Sequence, residues 1–290
     1  MKELKLYMIH PKITLNLCGT LLVLENPVVM AVINITADSF YEKSRFTERG
    51  SILKQAETHL QEGATFLDIG GMSSRPGAPV SVAKDEVEKI VPVIKSLKKE
   101  FPDAFISIDT VHSAVANAAY QEGAVLVNDI SAGAIDPDMF PFLAKTNIPY
   151  VLMHLKGIPR NMQDDTNYKD VSLDVLDFLI LKYQALKEFG VKDIIIDPGF
   201  GFGKDVVQNY ELLQNLSIFK ILECPLMVGL SRKSMIYKVI EGTPEDALHG
   251  TTALHFFALQ QGALILRAHD VKPAIDTIRV WKALENAKTN

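Results

Sequence analysis

The chain has 290 residues, 48% of them hydrophobic, enough to bury a large core. A net charge of −5 and a pI near 5.8 give no global basic field, which excludes a nucleic-acid binder working through one. Any anionic ligand has to be held by local cations.

The two cysteines, Cys18 and Cys224, lie far apart and fit no metal spacing, which points to a reducing, cytoplasmic compartment. Met1 to Lys12 mix charges and lack the apolar centre of a signal peptide. The apolar run Leu15 to Ile35 is broken by Glu25, Asn26 and Pro27 and is too interrupted to span a bilayer, so no membrane partner is expected.

Residues 13–24 read as two short strands around Gly19, a hairpin ahead of the main fold. Val28 to Asn34 is a buried strand, then a polar loop from Ile35 to Phe46 and a helix at about 48–62. Thr65 to Gly70 is the second strand, and the helix over 82–100 carries Val87, Ile90, Val91, Ile94 and Leu97 on one face. Phe105 to Asp109, Ala124 to Asp129 and Pro149 to His154 are strands, separated by helices at 112–122 and 137–146. A helix ends at Phe189, and a strand ends at Asp197. Helical segments over 206–222 lead to a strand over Pro225 to Gly229. Helices at 232–240 and 244–261, a strand over Ala263 to His269 and a helix over 270–287 close the chain.

Eight strand–helix units in a row, about 30 residues apart, predict an α/β fold: a (β/α)8 TIM barrel with a short N-terminal β-hairpin. Residues 1–27 are an extension carrying the hairpin, and 28–290 one barrel domain. A doubly wound open sheet is the structural alternative; the count of eight and the even composition favour the barrel.

In such a barrel the strand ends Asn34, Asp68, Asp109, Asn128, His154, Asp197, Arg267 and His269 meet on one face. So many polar ends would leave costly buried groups unless a polar ligand fills the mouth. Asp109, Asn128 and Asp197 supply acceptors, suited to a flat heterocycle with several N–H donors. Arg267 and His269 follow the eighth strand and Ser231-Arg232-Lys233-Ser234 the seventh, where barrels commonly hold phosphate. For Arg232 and Lys233 the competing reading is a solvated helix start, and for Ser231 a helix cap.

Ile194-Ile195-Ile196-Asp197-Pro198-Gly199-Phe200-Gly201-Phe202-Gly203-Lys204 needs its own comment. An apolar strand ends at a carboxylate, and glycines then demand a sharp turn or a close approach. The run has the wrong spacing for a phosphate loop and does not follow the first strand, which argues against a dinucleotide fingerprint. His10, His59, His112, His249 and His255 have no metal-ligand spacing, and Trp281 reads as packing on the last helix.

These motifs resemble the dihydropteroate synthase family. The likeness rests on Asn34-Ile35-Thr36-Ala37-Asp38-Ser39-Phe40, on Asp68 to Ala78 (Asp-Ile-Gly-Gly-Met-Ser-Ser-Arg-Pro-Gly-Ala) and on Asn128-Asp129-Ile130. It continues through Met153-His154, Asp197 to Lys204, Gly229 to Ser234 and Arg267 to Val271, in family order over about 28–280. Ala37 stands where the family usually has Pro, Glu42-Lys43 where it has a Gly pair, Met72 for Glu and Ser74 for Thr.

The resemblance implies a folate-pathway transferase that joins 4-aminobenzoate to a dihydropterin methyl diphosphate, with Mg²⁺ as its metal and a cytoplasmic homodimer as its form. It implies a pterin site of Asp109, Asn128, Met153, Asp197, Phe202, Gly229 and Lys233. It puts diphosphate at Asn34, Ser74, Arg75, Arg267 and His269, with Asn34 on the metal, and 4-aminobenzoate among Phe40, Arg75, Pro76, Lys233 and Ser234. Asp109, Lys233, Arg267 and His269 carry the catalysis in this reading. A pterin-binding methyltransferase barrel and a non-catalytic pterin-binding homologue are the alternatives.

Overall fold

The computed structural model describes residues 13–35, 42–72, 80–158, 160, 162 and 164–287, with backbone alone for 42–49. The chain opens with a hairpin of Thr14–Leu17 (β1) and Thr20–Val23 (β2), antiparallel. Cys18 and Gly19 make its turn, both at positive φ (51° and 103°), the twist a two-residue hairpin requires. Asn16 Oδ1 accepts from the Gly19 N–H at 2.8 Å.

Eight parallel strands follow: Val28–Asn34 (β3), Phe66–Gly70 (β4), Phe105–Asp109 (β5), Ala124–Asp129 (β6), Tyr150–Met153 (β7), Ile194–Asp197 (β8), Met227–Val228 (β9) and Ile265–Ala268 (β10). The sheet runs β8-β7-β6-β5-β4-β3-β10-β9. The bridge Ile196↔Leu226 joins its two ends, so the strands close into the expected barrel. The helices between them are Glu42–Glu62 (α1), Ala83–Glu100 (α2), Ser113–Gln121 (α3), Met139–Thr146 (α4), Val171–Glu188 (α5), Val206–Gln214 (α6), Ser234–Tyr237 (α7), Leu248–Gln261 (α8) and Val271–Ala287 (α9). Among the described residues no helix is long and apolar enough to cross a membrane.

Strand side chains alternate between the two faces, and that period of two sorts the residues. Val29, Ala31, Ile33, Leu67, Ile69, Ile106, Ile108, Tyr150, Leu152, Ile194, Ile196 and Leu266 point out and pack on the helices. Met30, Phe66, Leu126, Val151, Ile195, Met227 and Ile265 point in and form a second core at the N-terminal end of the barrel. Leu15, Leu17 and Leu24 of the hairpin segment join that core, so the hairpin plugs the barrel floor. Two residues further along each strand the same inward parity delivers Asp68, Asn128, Met153, Asp197, Gly229 and Arg267 at the other end. With both faces covered, the strands read as nearly continuous apolar runs that break at their C-terminal ends.

Several boundaries differ from expectation. The buried stripe of α2 is Glu86, Ile90, Val93, Ile94 and Leu97; Val87 and Val91 sit at its edge, half-buried. The predicted strand 225–229 keeps only Met227 and Val228, because Leu226 makes one bridge and then accepts from Leu264 and Ile265. The segment 206–222 splits into α6 and a 3-10 helix, Leu216–Leu222. The helix expected over 232–240 is a single turn, and the one expected from 244 begins at Leu248.

Candidate active site

The centre of the barrel mouth is a carboxylate that the sequence reading left without a role. Asp68, fully buried at β4, accepts through Oδ2 from Asn128 Nδ2 at 2.9 Å and from Arg267 Nε at 2.7 Å. Arg267 Nη2 also donates to Asp109 Oδ2 at 2.6 Å. One guanidinium thus joins β4, β5 and β10, and Asp68 fixes which edge of the Asn128 amide is offered to the mouth. Burial opposes the charge on Arg267, but Asp68 and Asp109 more than offset it and hold the guanidinium above its ordinary range. For Asp109 burial dominates, and its carboxyl sits well above the usual range despite Arg267. Among the described residues two buried atoms of this layer, Asp68 Oδ1 and Ser107 Oγ, have no hydrogen-bond partner, which leaves them available to a bound water or ligand.

A second group forms around β8. Asp197 Oδ1 accepts from the Gly199 N–H at 2.8 Å. Burial raises the Asp197 carboxyl, opposed first by the charge of Lys233. Lys233 donates to the Phe200 carbonyl, and its Nζ lies 4.4 Å from the centre of the Phe202 ring, a cation–π contact. Burial pushes Lys233 down to about 8, and Asp197 works against that shift. A Cβ on Gly229 would stand 3.8 Å from Lys233 Nζ, an ordinary contact, so Gly229 lies directly beside the ammonium. Met153 belongs to a small apolar cluster at the mouth with Val111, Ile130, Leu155 and Met162, against which Met72 and Phe202 pack. Met72, where the family usually carries Glu, therefore thickens an apolar wall.

The third group lies across the mouth. Asn34, Gly70, Asp109 and Asn128 are neighbours along one rung of the sheet. A Cβ on Gly70 would meet Asn34 Oδ1 at 3.4 Å and Asp109 Oδ2 at 3.7 Å, so Gly70 keeps open a space edged by two oxygens. Asn34 is exposed, with its amide oxygen at that space. Beyond it, the His269 N–H donates to Ser231 Oγ at 3.3 Å, and the ring Nδ1 lies 3.2 Å from the same hydroxyl. Desolvation, then Arg267, lowers the His269 imidazole to about 4. Ser231 is thus a partner of His269 and not a helix cap; the cap position of α7 is Lys233.

Some expectations shift. Arg232 is taken up by a bidentate pair with Asp270, at 2.7 and 2.9 Å, and by the carbonyls of Pro244 and Glu245, so it is a structural cation. His154 ends on the outward parity and turns away from the mouth to bond Lys204. Asp129 anchors its own loop through Ser131, Gly133 and Tyr150. Ser234 opens α7 beside Lys233. Phe40, Ser74, Arg75 and Pro76, with Ala37, lie outside the described residues.

Residues 30–269 match the family model described as "Pterin binding enzyme". The chain belongs to the dihydropteroate synthase family of pterin-binding enzymes. It is similar to the dihydropteroate synthase of Haemophilus influenzae, 40% identical over 263 residues, covering 90% of this chain and 95% of that protein. A solved Yersinia pestis dihydropteroate synthase in a sulfonamide drug complex is 36% identical, with a TM-score of 0.88 over 95% of this chain and 100% of that one. The Xanthomonas albilineans dihydropteroate synthase solved with 4-aminobenzoic acid is 36% identical, with a TM-score of 0.87 over 94% of this chain and 98% of that one.

The oxygen donors at Asn34 and across Gly70 suit Mg²⁺, which takes hard oxygen ligands and keeps waters and phosphate oxygens around itself. Among the described residues no three His, Cys, Asp or Glu side chains gather as a metal site.

Proposed function

We propose that the barrel mouth binds a dihydropterin methyl diphosphate through Asp197, Asn128 and Asp109 and joins its methylene carbon to the amine of 4-aminobenzoate. The products are 7,8-dihydropteroate and diphosphate; the activity is the transferase reaction of the dihydropteroate synthases. The observation that carries the reading is the position of Arg267. Its guanidinium bonds Asp68 and Asp109, which puts an anion donor directly beside the heterocycle acceptors. Among the described residues two of its five N–H groups are used, leaving donors for a diphosphate.

Asp197 accepts from the pterin's amino and ring N–H groups, and an analogue lacking them would leave a buried carboxylate unpaired. Asn128, locked by Asp68, offers its remaining amide positions to the same ring. Lys233 bonds the pterin's carbonyl side, and its stem lies toward the aminobenzoate with Ser234, Phe40, Arg75 and Pro76. Met153 and Phe202 flank the ring, and Gly229 leaves it space. Arg267, His269, Ser74 and Arg75 hold the diphosphate. Asn34 would hold Mg²⁺, which when bound supplies positive charge to the leaving diphosphate.

The bond between the methylene carbon and the diphosphate oxygen breaks with its electron pair on oxygen, while Asp109 stands beside the cation left on the pterin. The neutral amine of 4-aminobenzoate then forms the C–N bond and loses a proton to solvent. No enzyme nucleophile is used. A pterin methyltransferase would need the Asp197 and Asn128 pair but not the diphosphate-holding Arg267 and His269, since its substrate carries no diphosphate. The same reading carries the family-level expectation of a cytoplasmic homodimer.

The test is turnover by the purified chain with both substrates and Mg²⁺. Dihydropteroate and diphosphate in equal amounts are expected. Pterin binding without either product would leave a binding protein, and methyl transfer from a methylated pterin would leave a methyltransferase.

A further inference from the structure

The glycine-rich run after β8 ends in a lysine turned into the protein interior. Lys204 is buried at 3% exposure, and its Nζ donates to the Gly199 carbonyl at 2.8 Å and the Phe202 carbonyl at 3.0 Å. Its third neighbour is His154 Nδ1 at 3.0 Å. Two carbonyls and a neutral imidazole nitrogen are three acceptors, and an ammonium has three N–H donors. His154 is held neutral: burial first, then the charge of Lys204, pushes its ring down to about 2. Phe178 packs edge-on against that ring at 4.9 Å.

Gly199 connects this ammonium to the mouth. Its N–H donates to Asp197 Oδ1, and its carbonyl accepts from Lys204, so one residue is clamped from both ends. It has to be glycine: φ is 72°, and a Cβ would stand 2.0 Å from the His154 carbonyl oxygen. The rest of the loop is equally committed. Asn209 accepts from the Gly201 N–H and donates to the Lys204 carbonyl, and the Tyr168 hydroxyl donates to the Gly203 carbonyl.

We infer that Lys204 is a positioning residue of the pterin subsite: pinned by His154, Gly199 and Phe202, its ammonium is a buried positive charge joined through Gly199 to the Asp197 carboxylate, and it holds the backbone of Phe202, whose ring lies against Lys233. The inference rests on the reading of Asp197 as the pterin acceptor. Lys233, the Gly199 N–H and Arg267 each lower Asp197 more than Lys204 does, and Lys204 adds to them from the Gly199 side. Lys156, after β7, acts on His154 and is itself paired with Asp165. Burial pushes Lys204 down to about 7, with Asp197 pulling it back up and Lys233 adding to the fall. The pairing is reciprocal: each charge supports the other against burial.

The experiment is calorimetric titration of the pterin substrate into the wild type and K204M across pH. Without the ammonium, Asp197 holds its proton to higher pH and loses an acceptor. At about pH 6 K204M should bind at least about tenfold more weakly, the gap narrowing to about threefold or less by about pH 9. A gap equal at every pH, or none, overturns the inference, since a purely structural lysine would shift affinity uniformly. If K204M does not fold, D197N carries the test: NMR of labelled lysine amines should show Lys204 titrating at lower pH than in the wild type. An unchanged titration overturns the pairing. A wild type that binds no pterin would instead sink the proposed function and the positioning role with it, while the lysine titration would still decide the Lys204–Asp197 pairing.

Discussion

Arg267 Nη2 donates to Asp109 Oδ2 at 2.6 Å, an ion pair between residues 158 positions apart in the chain. The pair shares its guanidinium with Asp68, which also holds the Asn128 amide. The cation expected to grip diphosphate and the groups expected to read the pterin are therefore one connected network. R267A should weaken pterin and diphosphate binding together, and D68A should weaken pterin binding with no pterin contact of its own. Each change leaves buried charge uncompensated, so each should cost about 3 kcal/mol of stability. Chemical denaturation and calorimetry with each ligand check this. Pterin affinity kept in R267A would show that the two functions separate.

Asp109 gives a pH dependence with a definite sign. Burial raises its carboxyl to about 7 in the folded protein, against about 4 in the unfolded chain. Between those values the unfolded state gives up a proton that the folded state keeps, so this group lowers stability as pH rises from about 4 to about 7. The stability of the wild type relative to D109N should fall across that window and level off above it. A difference that is flat or rising, read from melting temperatures, would mean that Arg267 overrides burial and the carboxyl is ionised throughout.

Gly70 separates Asn34 from Asp109, and its backbone is not in the left-handed region. G70A should keep the fold to within about 1 kcal/mol while placing a methyl group where metal and diphosphate are to sit. Turnover and Mg²⁺-dependent diphosphate affinity should fall, with pterin affinity less affected. Normal turnover in G70A would show that this space is not used.

Arg232 and Lys233 are adjacent, yet the structure gives them opposite tasks. Arg232 takes a left-handed backbone (φ 55°) and turns to Asp270, while Lys233 turns inward. R232A and D270A should each cost about 1–2 kcal/mol, and the double variant should cost less than their sum. Diphosphate affinity should be nearly unchanged in R232A. Additive losses would mean the two side chains do not support one another.

The contrast shows what the sequence could carry. Strand ends were legible because buried apolar runs stop at polar residues, which put Asp68, Asn128, Asp197 and Arg267 on one face without knowledge of contacts; inward parity, which separates His154 from them, came only with the structure. Asp68 as the hub was not legible, since its partner Arg267 lies 199 residues away and only barrel closure brings them together. Lys204 was hidden for a related reason: three acceptors from two loops decide its direction, and one of them is His154, which local patterning assigned to the mouth. The seventh strand was read too long because Leu226 is apolar and buried like a strand residue but makes only one bridge.

The most direct test of the whole account is the affinity of the pterin substrate for D197N. Asp197 sits at the end of β8 with one oxygen committed to the Gly199 N–H, and the account gives it the pterin's N–H donors. Replacing it by Asn turns one acceptor into a donor and should weaken binding by about 1–3 kcal/mol or more, read by calorimetry near neutral pH. Unchanged affinity would contradict the assignment of the pterin to this end of the barrel.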